Sequence, residues 1–213
     1  RKFHNYIKSM LIDSITSLGD KPISILDTSV GQGGDIQKYL RSKNPIIFFL
    51  GLDISPDVNK AAKRFYLEHI ETMKKPKAMF IQYDTGSSIK GGEGCVGDNI
   101  ERNKLLIDIL YDRQRALPKN LRPLVPKYKG LCKKGFDIIS SQFSIHYYFK
   151  DELTLRTYIQ NISENIKKGG YFIGTCYDGN KIFNYFKNKN DHMRRIWYGD
   201  DTGDTDDTDD TDD

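Results

Sequence analysis

Three carboxylates and an amide stand where apolar runs of the chain end. Asp27 follows Ile23-Ser-Ile-Leu26, Asp53 stands near the end of the run from Pro45 to Ile54, and Asp84 closes Ala78-Met-Phe-Ile-Gln-Tyr-Asp84. Gln142 sits within Phe136-Asp-Ile-Ile-Ser-Ser-Gln-Phe-Ser-Ile-His-Tyr-Tyr-Phe149, where His146 and Tyr147 follow it. Polar residues ending an apolar strand face a ligand more readily than the core. A carboxylate after the second strand can accept both hydroxyls of a ribose, and one after the third strand, followed by Thr85-Gly-Ser87, can meet the exocyclic amine of an adenine.

Between the first strand and the next helix runs Asp27-Thr-Ser-Val-Gly-Gln-Gly-Gly-Asp35. Glycines let backbone approach a ligand closely, and the amides opening a helix favour electron-rich groups. With glycine at position 29 this would be the dinucleotide fingerprint G-x-G-x-x-G, so the loop and Asp53 alone leave a nicotinamide-binding domain open. Asp84 and the Gln142 to Tyr147 segment favour a different nucleoside cofactor.

The elements that must position these groups alternate. Phe3, Ile7, Met10, Leu11, Ile15 and Leu18 recur at helical spacing, which predicts an amphipathic helix over 3–18. Strands are predicted at 23–26, 45–54, 78–84, 136–145 and 171–177. A helix over 56–70 is predicted with Val58, Ala62 and Phe65 on one face. A later one carries Leu155, Tyr158, Ile159, Ile162 and Ile166 and ends at Lys167-Lys-Gly-Gly170. Apolar strands alternating with amphipathic helices imply a doubly wound α/β domain with a mostly parallel sheet. The insertion 85–135 starts with glycines, continues through a helix around Ile100 to Tyr111 and ends in a basic stretch, as either a functional lid or a disordered decoration.

The chain has 213 residues, enough for one substantial core, and no apolar run approaches the roughly 18 to 20 residues that span a bilayer. A membrane partner is therefore not expected. Net charge is +4, but residues 199–213 hold nine aspartates and no basic residue, so the rest of the chain carries 33 basic against 20 acidic side chains. A basic body suits a polyanion such as nucleic acid, and the aspartate-rich tail is expected to be disordered. Cys95, Cys132 and Cys176 fit neither a disulfide framework nor a zinc site, so no metal is expected and a reducing compartment is the default.

Three segments together resemble the RNA cap (guanine-N7) methyltransferases: Phe3-His-Asn-Tyr-Ile-Lys8, Phe136 to Tyr147, and Gly169-Gly-Tyr-Phe-Ile-Gly-Thr175. The resemblance implies a Rossmann-like class I methyltransferase fold over residues 1–198, S-adenosyl-L-methionine as cofactor, and capped RNA (a GpppN end) as substrate. By position it places cofactor contacts on Lys8, Asp27, Ser29, Gly31, Asp53, Asp84, Gln142 and Tyr147. Cap and RNA contacts fall on His4, Asn5, Gln32, Lys38, Arg64 and His146. His146 and Tyr147 would position the reactants, and no residue is given a covalent or proton-transfer role. Basic residues of the insertion are expected near the triphosphate bridge and RNA backbone.

Departures are Ser29 at the family's first loop glycine, Gln32 at a common lysine, and His4 at a common asparagine. The family's sheet also has two strands after the fifth, whereas here a helix around Lys181 to Lys187, a segment from His192 to Tyr198 and the acidic tail remain. A fragment or trimmed chain lacking the last strands is the expectation, as part of a large-DNA-virus capping enzyme acting in host cytoplasm or virion. Other capping-enzyme domains or a stimulatory subunit would be its partners. Two readings stay beside this one: a methyltransferase acting on another substrate, and a non-catalytic RNA-binding or regulatory subunit.

Overall fold

A computed structural model describes residues 2–70, 76–113 and 116–187. Its five strands are β1 (Ile23–Asp27), β2 (Ile46–Asp53), β3 (Lys77–Gln82), β4 (Phe136–Gln142) and β5 (Ile166–Thr175). They run parallel in the order β3-β2-β1-β4-β5. The chain winds from β1 outward to β3 and then crosses to the other side of β1, so the direction of winding switches between β1 and β4. Open α/β sheets bind ligands at the carboxyl ends of their strands at such a point.

Helices cover both faces, which is why β1 is buried at every residue. On one face α1 (Lys2–Thr16), α2 (Ile36–Leu40) and α3 (Val58–Ile70) bring Ile12, Tyr39, Val58 and Phe65 against Ile25, Phe49, Ile138 and Ile173. The other face packs Leu26, Leu50, Ile81 and Ile139 against Leu106, Ile107 and Leu110 of α4 (Ile100–Leu110). Alternation along each strand sends neighbours such as Ile25 and Leu26 into opposite cores. Phe49, fully buried, touches the rings of Tyr39, Phe65 and Phe80, and its truncation to alanine would cost about 3 to 5 kcal/mol.

The described part of the insertion is no disordered decoration but belongs to this second core. Ile89, Cys95, Leu121, Tyr128 and Cys132 are buried in it beside α4. Beyond α4 come a 3-10 turn (Arg122–Leu124) and α5 (Val125–Tyr128). The Tyr128 hydroxyl donates to Ala78 O at the start of β3, and Cys132 N to Leu110 O at the end of α4. Lys127, Lys129 and Lys133 therefore lie toward the amino ends of the strands. β3 alone is about 20 Å long at 3.3 Å per residue, so these lysines are remote from the carboxyl ends, contrary to the expected place beside a triphosphate.

Several boundaries move. β4 ends at Gln142 rather than 145, because Phe143 takes a left-handed conformation (φ 55°) and a 3-10 helix (Ile145–Lys150) follows. β3 ends at Gln82, and Tyr83 pairs instead with Cys95 in an antiparallel bridge. Asp151 opens α6 (Glu152–Asn165) by accepting the Thr154 amide at 2.7 Å. That helix stops before Lys167, which pairs with Asp137 at 2.7 Å, and β5 begins at Ile166 with a register shift before Tyr171.

Helix faces also differ from the periodicity. α1 buries Ile12 and Thr16 while Phe3, Ile7, Met10 and the following Leu18 stay exposed; α3 buries Ala61 rather than Ala62, and α6 leaves Ile159 exposed while burying Asn161 and Asn165. β5 is an outer strand among the described residues, with Tyr171 and Phe172 exposed. The chain divides into a compact unit at 1–176 and a second at 177–213. Of the second unit, α7 (Gly179–Lys187) is described, and Asp178 accepts the Lys181 amide at its start. The segment 192–198 and the aspartate-rich tail lie outside the described residues.

Candidate functional site

The carboxyl ends of β1 and β2 are tied together by the glycine-rich turn. Gly31, at φ 52°, donates its amide to Asp53 Oδ2 at 2.7 Å, and Ser55 donates to Asp53 Oδ1 at 2.8 Å. Gly33 is needed where α3 passes, since a Cβ there would stand 2.5 Å from Ile36 Cδ1 and 3.0 Å from Ala61 Cα. The Asp84 amide donates to Gly94 O, and its carboxylate accepts the Gly86 amide at 2.9 Å.

These turns enclose a cavity of about 380 Å³. Of the residues proposed from sequence it gathers Ser29, Asp53, Asp84 and Tyr147. Asp27 lies beneath the turn, 3 % exposed, and accepts the Ser29 amide at 3.1 Å. Burial, with the nearby charges of Asp35 and Asp53, pushes its carboxyl up to about 7 against the opposing Ser29 hydrogen bond and Lys8. Gln142 does not line the cavity. Its amide donates to Ser140 Oγ at 3.0 Å and accepts from Thr175 Oγ1 at 2.9 Å.

The remaining predicted residues do not line the cavity. Lys8 and Lys38 both pair with Asp35, at 2.7 and 2.6 Å. His4 packs on Phe143 with ring centroids 4.8 Å apart, and Lys8 Nζ lies 6.0 Å from the same ring. Asn5 is exposed on α1. Gln32 donates to Asp57 at 2.9 Å, and Arg64 donates to Gly33 O at 3.2 Å. His146 is exposed beside Tyr147, their ring centroids 4.2 Å apart.

The cavity also takes Thr28, Ile54, Thr85, Ser144, Tyr148, Lys150 and Thr154, none of them predicted. Ser144 Oγ donates to Ser29 Oγ at 2.7 Å, so the serine that replaces glycine clasps the turn after β4. Tyr148 hydrogen-bonds Thr85 Oγ1 at 2.6 Å and stacks on Tyr158 at 3.6 Å, 7° from parallel. Burial and the neighbouring Tyr158 raise its phenol well above the usual range, so it remains neutral. Two adjacent tyrosines were visible in the sequence, but only the stack with Tyr158 tells that Tyr148 faces inward. No group of three or more His, Cys, Asp or Glu side chains able to hold a metal lies among the described residues. No described helix is long and apolar enough to cross a membrane.

Residues 1–202 match the family model described as the mRNA (guanine-N(7))-methyltransferase domain. The chain belongs to this family. Members similar to it include the "Probable mRNA-capping enzyme" of Acanthamoeba polyphaga mimivirus, 30% identical over 194 residues, covering 89% of this chain and 15% of that protein. Another is the mRNA cap guanine-N(7) methyltransferase of Schizosaccharomyces pombe, 30% identical over 189 residues, covering 88% of this chain and 41% of that protein. Against these two curated mRNA (guanine-N7)-methyltransferase relatives the chain thus spans less than half their length. Among solved structures, YcgJ of Bacillus subtilis superposes with TM-score 0.49 at 14% identity, covering 90% of this chain and 58% of that one. PH0226 of Pyrococcus horikoshii gives 0.48 at 16% identity, covering 88% and 64%.

Proposed function

We propose that residues 1–198 form a methyltransferase domain that carries a methyl group from S-adenosyl-L-methionine to N7 of the guanine cap of mRNA, turning GpppRNA into m7GpppRNA. The observation that carries this reading is the meeting of Asp53, Asp84, Ser29 and Tyr147 around one cavity at the carboxyl ends of β1 to β4. The donor set fits the cofactor. Asp53 is held as an acceptor for ribose hydroxyls, Asp84 is an acceptor for the adenine amine, and the cavity volume lies within the few hundred Å³ usual for such ligands. Lys8, Asp27, Gly31 and Gln142 support the cofactor side from around and beneath it. His4, Asn5, Gln32, Lys38, Arg64 and His146 belong to the cap and RNA side.

When bound, the cofactor supplies an electrophilic methyl group on a sulfonium. Guanine N7 carries a lone pair and no proton, so no side chain has to act as base. The residues of the chain orient. Tyr147 lines the cavity with His146 beside it, and Ser29 and Ser144 fix the turns on either side. Holding two reactants in line converts a bimolecular encounter into a unimolecular step, worth on the order of 7 to 11 kcal/mol. Action in the cytoplasm, with other capping domains in the same assembly, completes the reading.

The test is incubation with labelled S-adenosylmethionine and GpppG-capped RNA, followed by digestion and detection of 7-methylguanosine. Label on any other nucleotide would mean a different substrate. Cofactor binding without transfer to any RNA would mean a protein or small-molecule substrate, and absence of cofactor binding would mean a regulatory subunit.

A further inference from the structure

Asn161 is a polar residue in the middle of α6, 2 % exposed, on the face turned toward the sheet. Asparagine is a weak helix former and costly to bury unless its amide is satisfied. Here that amide is satisfied by one turn. Nδ2 donates to Thr85 O at 2.9 Å and to Ser87 O at 2.8 Å, while Oδ1 accepts from Ile89 N at 2.9 Å. The turn is pressed close against the same helix, since a Cβ on Gly86 would stand 2.9 Å from Thr154 Cγ2. It also presents Asp84 and Thr85 to the cavity.

We propose that Asn161 is a positioning residue that sets the place of the Asp84 to Ile89 turn and, through Asp84, the preference of the cavity for adenine over other purine bases. This rests on the cofactor reading above. An amide is the side chain suited to the task, because the turn offers two carbonyls and one N–H on the same side. An aspartate of the same shape would set a carboxylate oxygen against two carbonyl oxygens and push the turn away.

A second buried asparagine gives the control. Asn165, one turn further along α6 and fully buried, donates to Asn161 O at 2.7 Å and accepts the Tyr111 hydroxyl. Its side chain braces the end of α4 rather than the cavity turn.

The experiment is calorimetric titration of the full chain with S-adenosylhomocysteine and with S-inosylhomocysteine, in which oxygen replaces the adenine amine. The wild type should prefer the adenine compound at least tenfold. Asn161→Asp should reduce that ratio severalfold and weaken S-adenosylhomocysteine about tenfold. Asn165→Asp should lower Tm comparably yet keep the wild-type ratio. Should Asn161→Asp not fold, Asn161→Ser, which retains a hydroxyl donor, is expected to reduce the ratio in the same direction. An unchanged ratio in the Asn161 variants, or an equal change in Asn165→Asp, overturns the proposal alone. Failure of the wild type to bind either compound overturns the cofactor reading and this proposal with it.

Discussion

Asp53 accepts the Gly31 amide at 2.7 Å, so the carboxylate that ends β2 also holds the glycine-rich turn that follows β1. Its second oxygen holds Ser55. A group that supports the walls of a cavity as well as lining it cannot be removed without moving them. Asp53→Ala should therefore cost about 2 kcal/mol, from loss of two hydrogen bonds to a charged acceptor, and abolish detectable S-adenosylmethionine binding. Asp53→Asn keeps one good acceptor and should lie between. Urea unfolding and calorimetry on the same samples check both.

Asp27 makes stability depend on pH. Its carboxyl is raised from 3.8 to about 7 in the folded chain, chiefly by burial. Below the unfolded value both states hold the proton. As pH rises from about 4 to 7 the unfolded chain releases it first, so stability falls across that window, by about 4 kcal/mol for a shift of this size, and levels off above it. Asp27→Asn keeps the acceptor for Ser29 and removes the titration. Urea midpoints of wild type and variant should diverge between about pH 4 and 7, the wild type dropping, and run parallel above; parallel curves throughout would refute the assignment.

Asp35 serves two lysines, and all three side chains are largely shielded from water. Removing the shared anion leaves both cations unpaired, whereas removing either lysine leaves the other pair in place. Asp35→Ala should cost about 3 kcal/mol, and Lys8→Ala or Lys38→Ala clearly less. A double-mutant cycle read by denaturant unfolding measures the difference.

Gly94 abuts the Asp84 backbone, where an added Cβ would stand 2.1 Å from Asp84 O and 2.4 Å from Tyr83 Cε1. Gly94→Ala should destabilise by about 2 kcal/mol and weaken cofactor binding, because the turn bearing Asp84 must shift. Gly34→Ala, with no atom within 4 Å of the new Cβ, should leave both nearly unchanged. Equal effects from the two substitutions would show that the contact does not matter.

The parallel sheet and its carboxyl-end crevice were legible because apolar runs and the polar residues ending them are local in sequence. Asp53 and Asp84 could be placed from strand ends alone, whereas Ser29 came from the family resemblance. What stayed hidden depends on partners far along the chain. The inward turn of Tyr148 needs Tyr158, the amide of Asn161 needs the Thr85 turn, and the hydrogen bond that holds Gln142 needs Thr175. Periodicity also misjudged α1 and α6, because it ranks residues by hydrophobicity whereas burial follows which side meets the sheet. The insertion looked open through its glycines, yet its scattered Ile89, Leu106, Ile107, Leu110 and Leu121 close into one core with the sheet.

β5 pairs with β4 on one side, has no described partner on the other, and exposes Tyr171 and Phe172. An outer strand whose backbone groups meet no described partner, beside exposed aromatic side chains, is a template for more strands. A strand from another molecule, or from elsewhere in the same protein, could join the sheet along that flank, at an edge remote in sequence from the glycine-rich turn. Phe172→Lys would place a charge on that flank and oppose such joining.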